Sequence, residues 1–238
     1  MAARTLTIDG TPTSAAEGSS LLHAARDAGI TIPTLCHLDG VDDVGACRLC
    51  LVEIEGESRL LPACATQVAE GMRVRTATAR LREYRRMLLE LLFAERNHVC
   101  AVCVANGHCE LQTLAWQHGM DHVRFEYQFP RWEVDLTHPR FGMDHNRCIL
   151  CTRCVRTCWE LEGAGTKNVS GRGAASQIIT DLNQPWGESD TCTGCGKCVQ
   201  ACPTGALFER GVTTGEMERD RVRLESLAQT RKGGPWSA

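Results

Sequence analysis

The polarity pattern of residues 1–78 predicts a small α+β domain. Residues 5–8 alternate between polar and apolar side chains and precede Asp9-Gly10, a pattern typical of an opening β-hairpin. Ser20 stands before an apolar helical repeat that ends at Gly29, which predicts a short helix with a serine N-cap. Apolar or alternating runs predict three further strands, at residues 51–55, 59–62 and 72–75.

After residue 79 the apolar positions follow the period of a helix. Residues 80–97 carry apolar residues on more than one face, so we predict a largely buried helix there and a second helix over residues 110–117. Residues 121–138 form a connector that we expect to be extended. We interpret the aromatic residues in and just beyond it as core residues: Phe125, Tyr127, Phe129, Trp132 and Phe141. We assign the basic cluster of the first helix to solvated faces or salt bridges: Arg80, Arg82, Arg85 and Arg86.

The fifteen cysteines add chemistry to this picture, because their spacing divides them into four groups. Two-residue gaps and an odd total favour metal ligation over disulfide bonds. Aromatic residues make up only 5% of the chain, so we expect metal ligation to supply much of the folding free energy and the apo-protein to be poorly folded.

The last two groups repeat the motif Cys-x2-Cys-x2-Cys-x3-Cys, the spacing of two-cluster ferredoxins. Three cysteines of one tight loop take three corners of a [4Fe–4S] cluster, and the fourth cysteine of each run crosses to the other cluster. Cys202 is followed by Pro203, as the pattern requires, whereas Cys158 is followed by Trp159. The predicted ligand sets are Cys148, Cys151, Cys154 and Cys202 for one cluster, and Cys158, Cys192, Cys195 and Cys198 for the other.

The first group resembles the plant-type [2Fe–2S] pattern with its first gap widened from four to ten residues. One long loop carries three of the ligands and a strand end carries the fourth. We therefore assign Cys36, Cys47, Cys50 and Cys64 to one [2Fe–2S] cluster. A structural zinc site is the alternative, although zinc sites favour two Cys-x2-Cys pairs per metal.

The remaining group, Cys100, Cys103 and Cys109, has three thiolates and needs a fourth ligand. His98 is our candidate, because imidazole can replace thiolate on iron and because this residue lies between the predicted helix and the cysteine loop. His108 is the competing candidate, but it adjoins Cys109, and adjacent residues seldom reach the same iron.

Charge and motif content restrict the classes of function. The formal charge of −3 becomes about −10 when four 2+ cores are bound by fifteen thiolates, which argues against nucleic-acid binding. The N-terminus has no apolar signal region and nowhere do eighteen apolar residues run together, so we expect a soluble, cytoplasmic protein without a membrane span. No Gly-x-Gly-x-x-Gly follows a strand, so nothing here is expected to bind NAD or a flavin.

The order of these sites resembles a known group of electron-transfer subunits. The same series occurs in the N-terminal arm of the large subunit of respiratory complex I, in iron-only hydrogenases and in the small diaphorase subunit of bidirectional NAD-reducing nickel–iron hydrogenases. Residues 147–156 (RCILCTRCVR) and 181–188 (DLNQPWGE) look most like the diaphorase subunit. The other two continue into a large C-terminal domain, whereas this chain stops soon after Cys202, and its length therefore favours the free-standing subunit.

The resemblance covers roughly residues 1–210 and implies an α+β protein of several small domains. These are a β-grasp [2Fe–2S] ferredoxin-like domain (1–78), a helical His/Cys3 [4Fe–4S] domain (79–120), a connector (121–138), a two-cluster bacterial ferredoxin-like domain (139–210) and a charged tail (211–238). In the tail, residues 216–231 are predicted to be helical and the end beyond them frayed. The complex I pattern places its histidine where this chain has Arg96, which cannot ligate, whereas the diaphorase form supports His98.

The resemblance also implies a role without a catalytic site in this chain. Its one [2Fe–2S] and three [4Fe–4S] clusters are expected to relay single electrons between a flavin- and NAD-binding diaphorase large subunit and the small and large subunits of a hydrogenase. FMN, NAD and nickel–iron are then expected only in partner chains. The alternatives are the equivalent subunit of an NAD-dependent formate dehydrogenase or a complex I-like NADH dehydrogenase, and, more remotely, a zinc-stapled interaction or nucleic-acid module.

Overall fold

A mixed five-stranded sheet with one helix packed on it forms the N-terminal part of the chain. The computed structural model describes residues 2–232. The strands are β1 (Ala3–Ile8), β2 (Thr11–Ala16), β3 (Leu51–Ile54), β4 (Leu61–Pro62) and β5 (Arg73–Arg75), in the spatial order β2-β1-β5-β3-β4. β1 pairs with β5 in parallel, and the other neighbouring pairs are antiparallel.

The local sequence signals of this part act as predicted. Asp9 and Gly10 both have positive φ (49° and 83°), as a two-residue turn between β1 and β2 requires. Helix α1 (Leu21–Asp27) begins at Ser20, whose side chain accepts a hydrogen bond from the backbone N–H of His23. The inward residues of the sheet pack against the buried face of α1, whereas residues 28–50 have no helix or strand and carry three of the cysteines.

Helix α2 (Ala79–Glu95) buries one face only, so the prediction of a largely buried helix is wrong in part. Leu81 and Leu89 are fully buried, but Tyr84 and Leu91 are exposed. The prediction for Arg85 is also wrong. Its guanidinium is buried and donates to the carbonyl oxygens of Leu49 and Leu51, both at 3.0 Å, because buried carbonyls need donors.

The connector runs along α2 through polar contacts, and this arrangement overturns the prediction for its aromatic residues. Arg124 bonds to the buried carboxylate of Glu90 at 2.8 Å, which fixes the path of the chain. Phe125, Tyr127 and Phe129 are therefore left on the surface, exposed by 37%, 43% and 71%. Trp132 is half-buried, and Phe141 is buried as predicted.

The remainder of the chain is built from short elements around cysteine loops. Helix α3 (Glu110–Gln117) follows a 3-10 turn at Cys100–Val102, and a three-stranded antiparallel sheet is formed by β6 (Val134–Asp135), β7 (Phe141–Asp144) and β10 (Leu207–Glu209). Strands β8 (Lys167–Ser170) and β9 (Gln177–Thr180) form a hairpin within the glycine-rich insertion. Each copy of the repeated cysteine motif ends in a short helix, α4 (Arg153–Arg156, continued by a π-helix over Thr157–Glu162) and α5 (Lys197–Ala201).

Helix α6 (Arg221–Lys232) starts later than predicted and packs across two domains. Leu224 and Ala228 are buried against Leu38 and Val41 of the first cysteine loop and against Leu161. The described part of the tail thus packs on the first cysteine loop and on the ferredoxin-like part. The predicted frayed end lies in residues 233–238, outside the described range. Among residues 2–232, no helix combines the length and the apolar character needed to cross a bilayer.

Candidate iron–sulfur sites

The first four predicted ligands lie together beside the N-terminal sheet. Cys36, Cys50 and Cys64 are buried, and the Sγ atoms of Cys50 and Cys64 are 3.5 Å apart. The backbone N–H of Leu35 donates to Cys47 Sγ at 3.4 Å. Such N–H···S contacts are typical of the loops that surround iron–sulfur ligands.

Electrostatics show how closely these four thiols interact. Hydrogen bonds from the Cys47 and Cys64 thiols lower the pKa of Cys36 to about 2. The hydrogen bond with Cys36 raises the pKa of Cys64, because a second thiolate beside the first is unfavourable. A cationic core would remove this conflict, since it stabilises all four thiolates at once.

The second site is a cavity of about 320 Å³ at the end of α2. Cys100, Cys103 and Cys109 line it together with His98. Gly205 closes the cavity from the C-terminal domain, and a Cβ atom there would overlap Cys103 Sγ. The second site is therefore shaped by both domains.

His98 faces this cavity with a free ring nitrogen. Its Nε2 is buried and has no hydrogen-bond partner among the described residues, while the ring also bonds to the backbone of Leu92. Burial lowers the pKa of His98 to about 4, so the imidazole is neutral and able to ligate. The competitor His108 is exposed and does not line the cavity, and Arg96 instead binds the carbonyl oxygen of Ser176 at 2.7 Å.

The repeated motif surrounds two further cavities, of about 320 and 350 Å³, and the fourth cysteine of each run lies with the other run. Cys202 thus lines the cavity of the first run, and Cys158 lines the cavity of the second. The two sets are Cys148, Cys151, Cys154 and Cys202, and Cys158, Cys192, Cys195 and Cys198. These groupings coincide with the crossed ligand sets expected from sequence.

The two copies of the motif share an unusual backbone. Gly194 and Gly196 have φ values of +65° and +74°, and the equivalent positions of the first copy, Leu150 and Thr152, have +51° and +58°. Glycine adopts this region freely, whereas leucine and especially threonine rarely do. The tight loop is thus maintained in both copies even where the side chain disfavours it.

The ligands that face the cavities favour iron–sulfur cores over single zinc ions. Three cysteines of one loop line each cavity, whereas zinc sites favour two Cys-x2-Cys pairs per metal. Burial raises the pKa of Cys148 to about 12, that of Cys151 to about 11 and that of Cys198 to about 12, so free thiolates are disfavoured there. Ligation to a cation of high charge is the ordinary way to keep such thiols ionised.

Single residues link neighbouring sites. Thr204 lines both the His98 cavity and the cavity of Cys148, Cys151, Cys154 and Cys202. Arg156 is buried and donates to the carbonyl oxygens of Cys36 and Cys151, and to that of Asp42 at 2.6 Å. The first cysteine loop and the ferredoxin-like part are therefore in direct contact.

Sequence reasoning did not find several residues around these cavities. Lys167 is fully buried beside the cavity of Cys158, and Trp186 donates its indole N–H to Cys192 Sγ at 3.3 Å. A lysine at the start of a polar insertion carries no sequence signal for burial. Trp186 and Arg156 lie in the two stretches that resemble the diaphorase subunit, but resemblance alone did not indicate their contacts.

Sequence models of three families match consecutive parts of the chain. The 2Fe–2S iron–sulfur cluster binding domain matches residues 2–79, and the NADH-ubiquinone oxidoreductase-G iron–sulfur binding region matches residues 85–124. The NADH-quinone oxidoreductase subunit 3 ferredoxin-like domain matches residues 139–208. The fold, the sites and these matches define an iron–sulfur protein with both 2Fe–2S and 4Fe–4S binding domains.

Similar proteins narrow this class to a family. The chain is 34% identical over 209 residues to the NAD-reducing hydrogenase HoxS subunit gamma of Cupriavidus necator, covering 87% of each protein. It also matches a chain of the crystal structure of an NAD+-reducing [NiFe]-hydrogenase in the H2-reduced state, with a TM-score of 0.85, 35% identity and coverage of 97% of this chain and 98% of that one. The chain belongs to the family of iron–sulfur subunits that includes HoxS gamma, which confirms the resemblance seen in the sequence.

Other relatives contain this region as a part of a longer chain. The NADPH-Fe(3+) oxidoreductase subunit alpha of Geobacter sulfurreducens is 40% identical over 205 residues, which are 86% of this chain but 24% of that protein. The chain thus spans about a quarter of the length of this relative.

Proposed function

We propose that this chain holds one [2Fe–2S] and three [4Fe–4S] clusters within the three-domain architecture expected from sequence, with a β-grasp first domain. The first cluster is held by Cys36, Cys47, Cys50 and Cys64, and the second by His98, Cys100, Cys103 and Cys109. The others are held by the crossed sets, with Cys202 and Cys158 exchanged between the runs. Support comes from the contacts among the first four thiols, from the grouping of the other three sets around separate cavities, and from the Nε2 of His98, which has no partner among the described residues.

We further propose that the chain is the electron-transfer subunit of a cytoplasmic NAD-reducing hydrogenase. Bound iron–sulfur clusters accept and release one electron at a time, which suits them to connect two-electron reactions in other chains. The observation that carries this proposal is the direct contact between sites. Arg156 joins the first site to the third, and Thr204 joins the second to the third.

The proposed partners are a flavin- and NAD-binding diaphorase large subunit and the small and large hydrogenase subunits. The [2Fe–2S] domain is assigned to the flavoprotein side and the ferredoxin-like domain to the hydrogenase side. Cys195 of the ferredoxin-like domain is exposed, whereas the other predicted cysteine ligands are buried or half-buried, which agrees with electron exit to the hydrogenase from that domain. The likeness to HoxS gamma, over most of both chains, favours hydrogenase over other partners.

Replacement of Cys202 in the whole complex tests this role. Cys202→Ser is expected to diminish NAD-linked H2 oxidation substantially, because it removes a ligand from the ferredoxin-like domain. NADH:dye reduction by the flavoprotein is expected to be largely retained, and Ser58→Ala, at an exposed position outside the sites, is the control for expression and assembly. Equal loss of both activities in Cys202→Ser would contradict the proposed placement.

Metal analysis of the co-purified complex tests the partner separately. Nickel in the complex is expected, because the proposed partner is a nickel–iron hydrogenase. Molybdenum in place of nickel would instead identify the equivalent subunit of a formate dehydrogenase.

A further inference from the structure

Lys167 is a buried cation without a carboxylate partner. The side chain is 1% exposed, and its Nζ donates to Thr180 Oγ1 at 2.8 Å. Among the side chains that the structure describes, no carboxylate forms a salt bridge with this ammonium group, and Asp135 acts on it only through longer-range charge. An isolated buried charge is strongly disfavoured, so a balancing negative charge is expected close by.

Predicted cluster ligands of both ferredoxin-like sites interact electrostatically with Lys167, as does Asp135. Lys167 lines the cavity of Cys158, Cys192, Cys195 and Cys198. Burial lowers the pKa of Lys167, whereas the charges of Cys198, Cys154 and Cys192 raise it. Cys198 and Cys192 belong to one site and Cys154 to the other, so the ammonium group interacts with both.

Trp186 connects Lys167 to one of these ligands. The Nζ atom of Lys167 lies 3.5 Å from the centroid of the Trp186 ring, on the face of the indole. The indole N–H of the same ring donates to Cys192 Sγ. A cation on the ring face withdraws electron density from the indole and makes its N–H a better donor. Trp186 is itself buried and stacked on Phe141, which fixes the ring.

We propose that Lys167 is a built-in counter-cation that raises the reduction potential of the ferredoxin-like clusters, with Trp186 carrying part of its effect to Cys192. The inference rests on the proposed cluster assignment. A [4Fe–4S] core of charge 2+ with four thiolates has a net charge of 2−, and reduction adds one electron and one further negative charge. A fixed positive charge in a medium of low dielectric constant stabilises the reduced form more than the oxidised form.

The effect is expected to differ between the two sites. The cluster held by Cys158, Cys192, Cys195 and Cys198 is the more strongly affected, because Lys167 lines its cavity and Trp186 bonds to its ligand. The cluster held by Cys148, Cys151, Cys154 and Cys202 interacts with the charge of Lys167 but has no hydrogen bond from Trp186. Lys167 is therefore a positioning and tuning residue, not a ligand.

Redox-titrated EPR of the holo-complex tests the proposal with a readout other than activity. Lys167→Met removes the charge and keeps most of the length of the side chain, so the midpoint potential of the more strongly affected cluster is expected to shift in the negative direction. Arg172→Met removes the same charge from an exposed position of the same hairpin and is expected to cause no measurable shift, because solvent screens it. An unchanged potential in a fully loaded Lys167→Met protein would overturn the proposal.

A second variant keeps the test decisive if Lys167→Met fails to assemble. Trp186→Phe keeps an aromatic face over Phe141 but removes the donor to Cys192, so a smaller negative shift is expected in the same cluster. An unchanged potential in Trp186→Phe would then count against the proposal. Absence of [4Fe–4S] signals from the wild-type complex is a different result, because it would contradict the cluster assignment itself.

Discussion

Arg156 holds the backbone of Cys36 through a hydrogen bond that crosses from the ferredoxin-like part to the first cysteine loop. The same guanidinium group donates to the carbonyl oxygen of Cys151 at 3.2 Å. One buried side chain therefore fixes the separation of two predicted cluster sites. Electron transfer between cofactors depends on their spacing, so this contact joins packing to the proposed relay.

We predict that Arg156→Met destabilises the protein and loosens this junction. Three carbonyl oxygens, of Cys36, Asp42 and Cys151, lose their donor, which costs about 2 kcal/mol and lowers the thermal midpoint by several degrees. Differential scanning calorimetry of the holo-protein measures the midpoint. Arg156→Lys is expected to recover only part of it, because an ammonium group lacks the planar fork of a guanidinium.

Arg73→Met is the matched control for this measurement. Arg73 is 72% exposed on its side chain and pairs with Glu55 only at 3.8 Å, so its removal is expected to leave the midpoint unchanged. Equal midpoints for Arg156→Met and Arg73→Met would show that the junction does not depend on Arg156.

The crossed ligands can be tested by counting clusters in double variants. Cys158→Ala combined with Cys195→Ala is expected to remove one [4Fe–4S] cluster, because both line the same cavity. Cys158→Ala combined with Cys151→Ala is expected to remove two, because they line different cavities. Iron and sulfide content together with EPR spin counting distinguishes the outcomes. Ligation within each run would give the reverse pair of results.

His98→Ala is predicted to empty the second site while the other three clusters remain. Among the described residues that line this cavity, His98 is the only histidine beside Cys100, Cys103 and Cys109. His98→Cys is expected to restore a cluster with a more negative potential, because it adds a thiolate charge in place of a neutral ligand. EPR-monitored titration checks both variants.

His108→Ala is the control for the histidine assignment, since that residue is exposed and outside the cavity. It is expected to keep all clusters and their potentials. Loss of the second cluster in His108→Ala but not in His98→Ala would assign the ligand to the competitor.

The sequence predicted the parts of this protein that depend on local chemistry. Caps and turns such as Ser20 and Asp9-Gly10 act through the backbone next to them, and the cysteine spacing reflects the geometry of a small inorganic core. These signals require no knowledge of distant residues. The element types and the grouping of cysteines could therefore be anticipated.

Features that depend on contacts between domains were not predictable in the same way. Arg85 looked like one of several surface arginines, and only the fold brings it to the carbonyl groups of Leu49 and Leu51. Phe129 looked like a core residue, yet the polar contacts of the connector leave it 71% exposed. Burial of a charge or exposure of a ring is decided by long-range packing, which a hydrophobic period does not encode.

Gly205 of the ferredoxin-like domain lies against Cys103 of the His98 site, so a substitution at Gly205 tests the contact between these two domains. A Cβ atom at Gly205 would overlap Cys103 Sγ, so Gly205→Ala must displace either the sulfur or the backbone of the C-terminal domain. Cys103 is buried at the second site, and its displacement is expected to remove or distort that cluster while the [2Fe–2S] signal remains. EPR at several temperatures separates the two signals.

Gly211→Ala is the control, since Gly211 has φ +93° but no neighbouring atom within 4 Å. It is expected to lower the thermal midpoint through backbone strain alone and to keep every cluster. A wild-type spectrum from Gly205→Ala would mean that the two domains do not approach each other closely at Cys103 in the holo-protein.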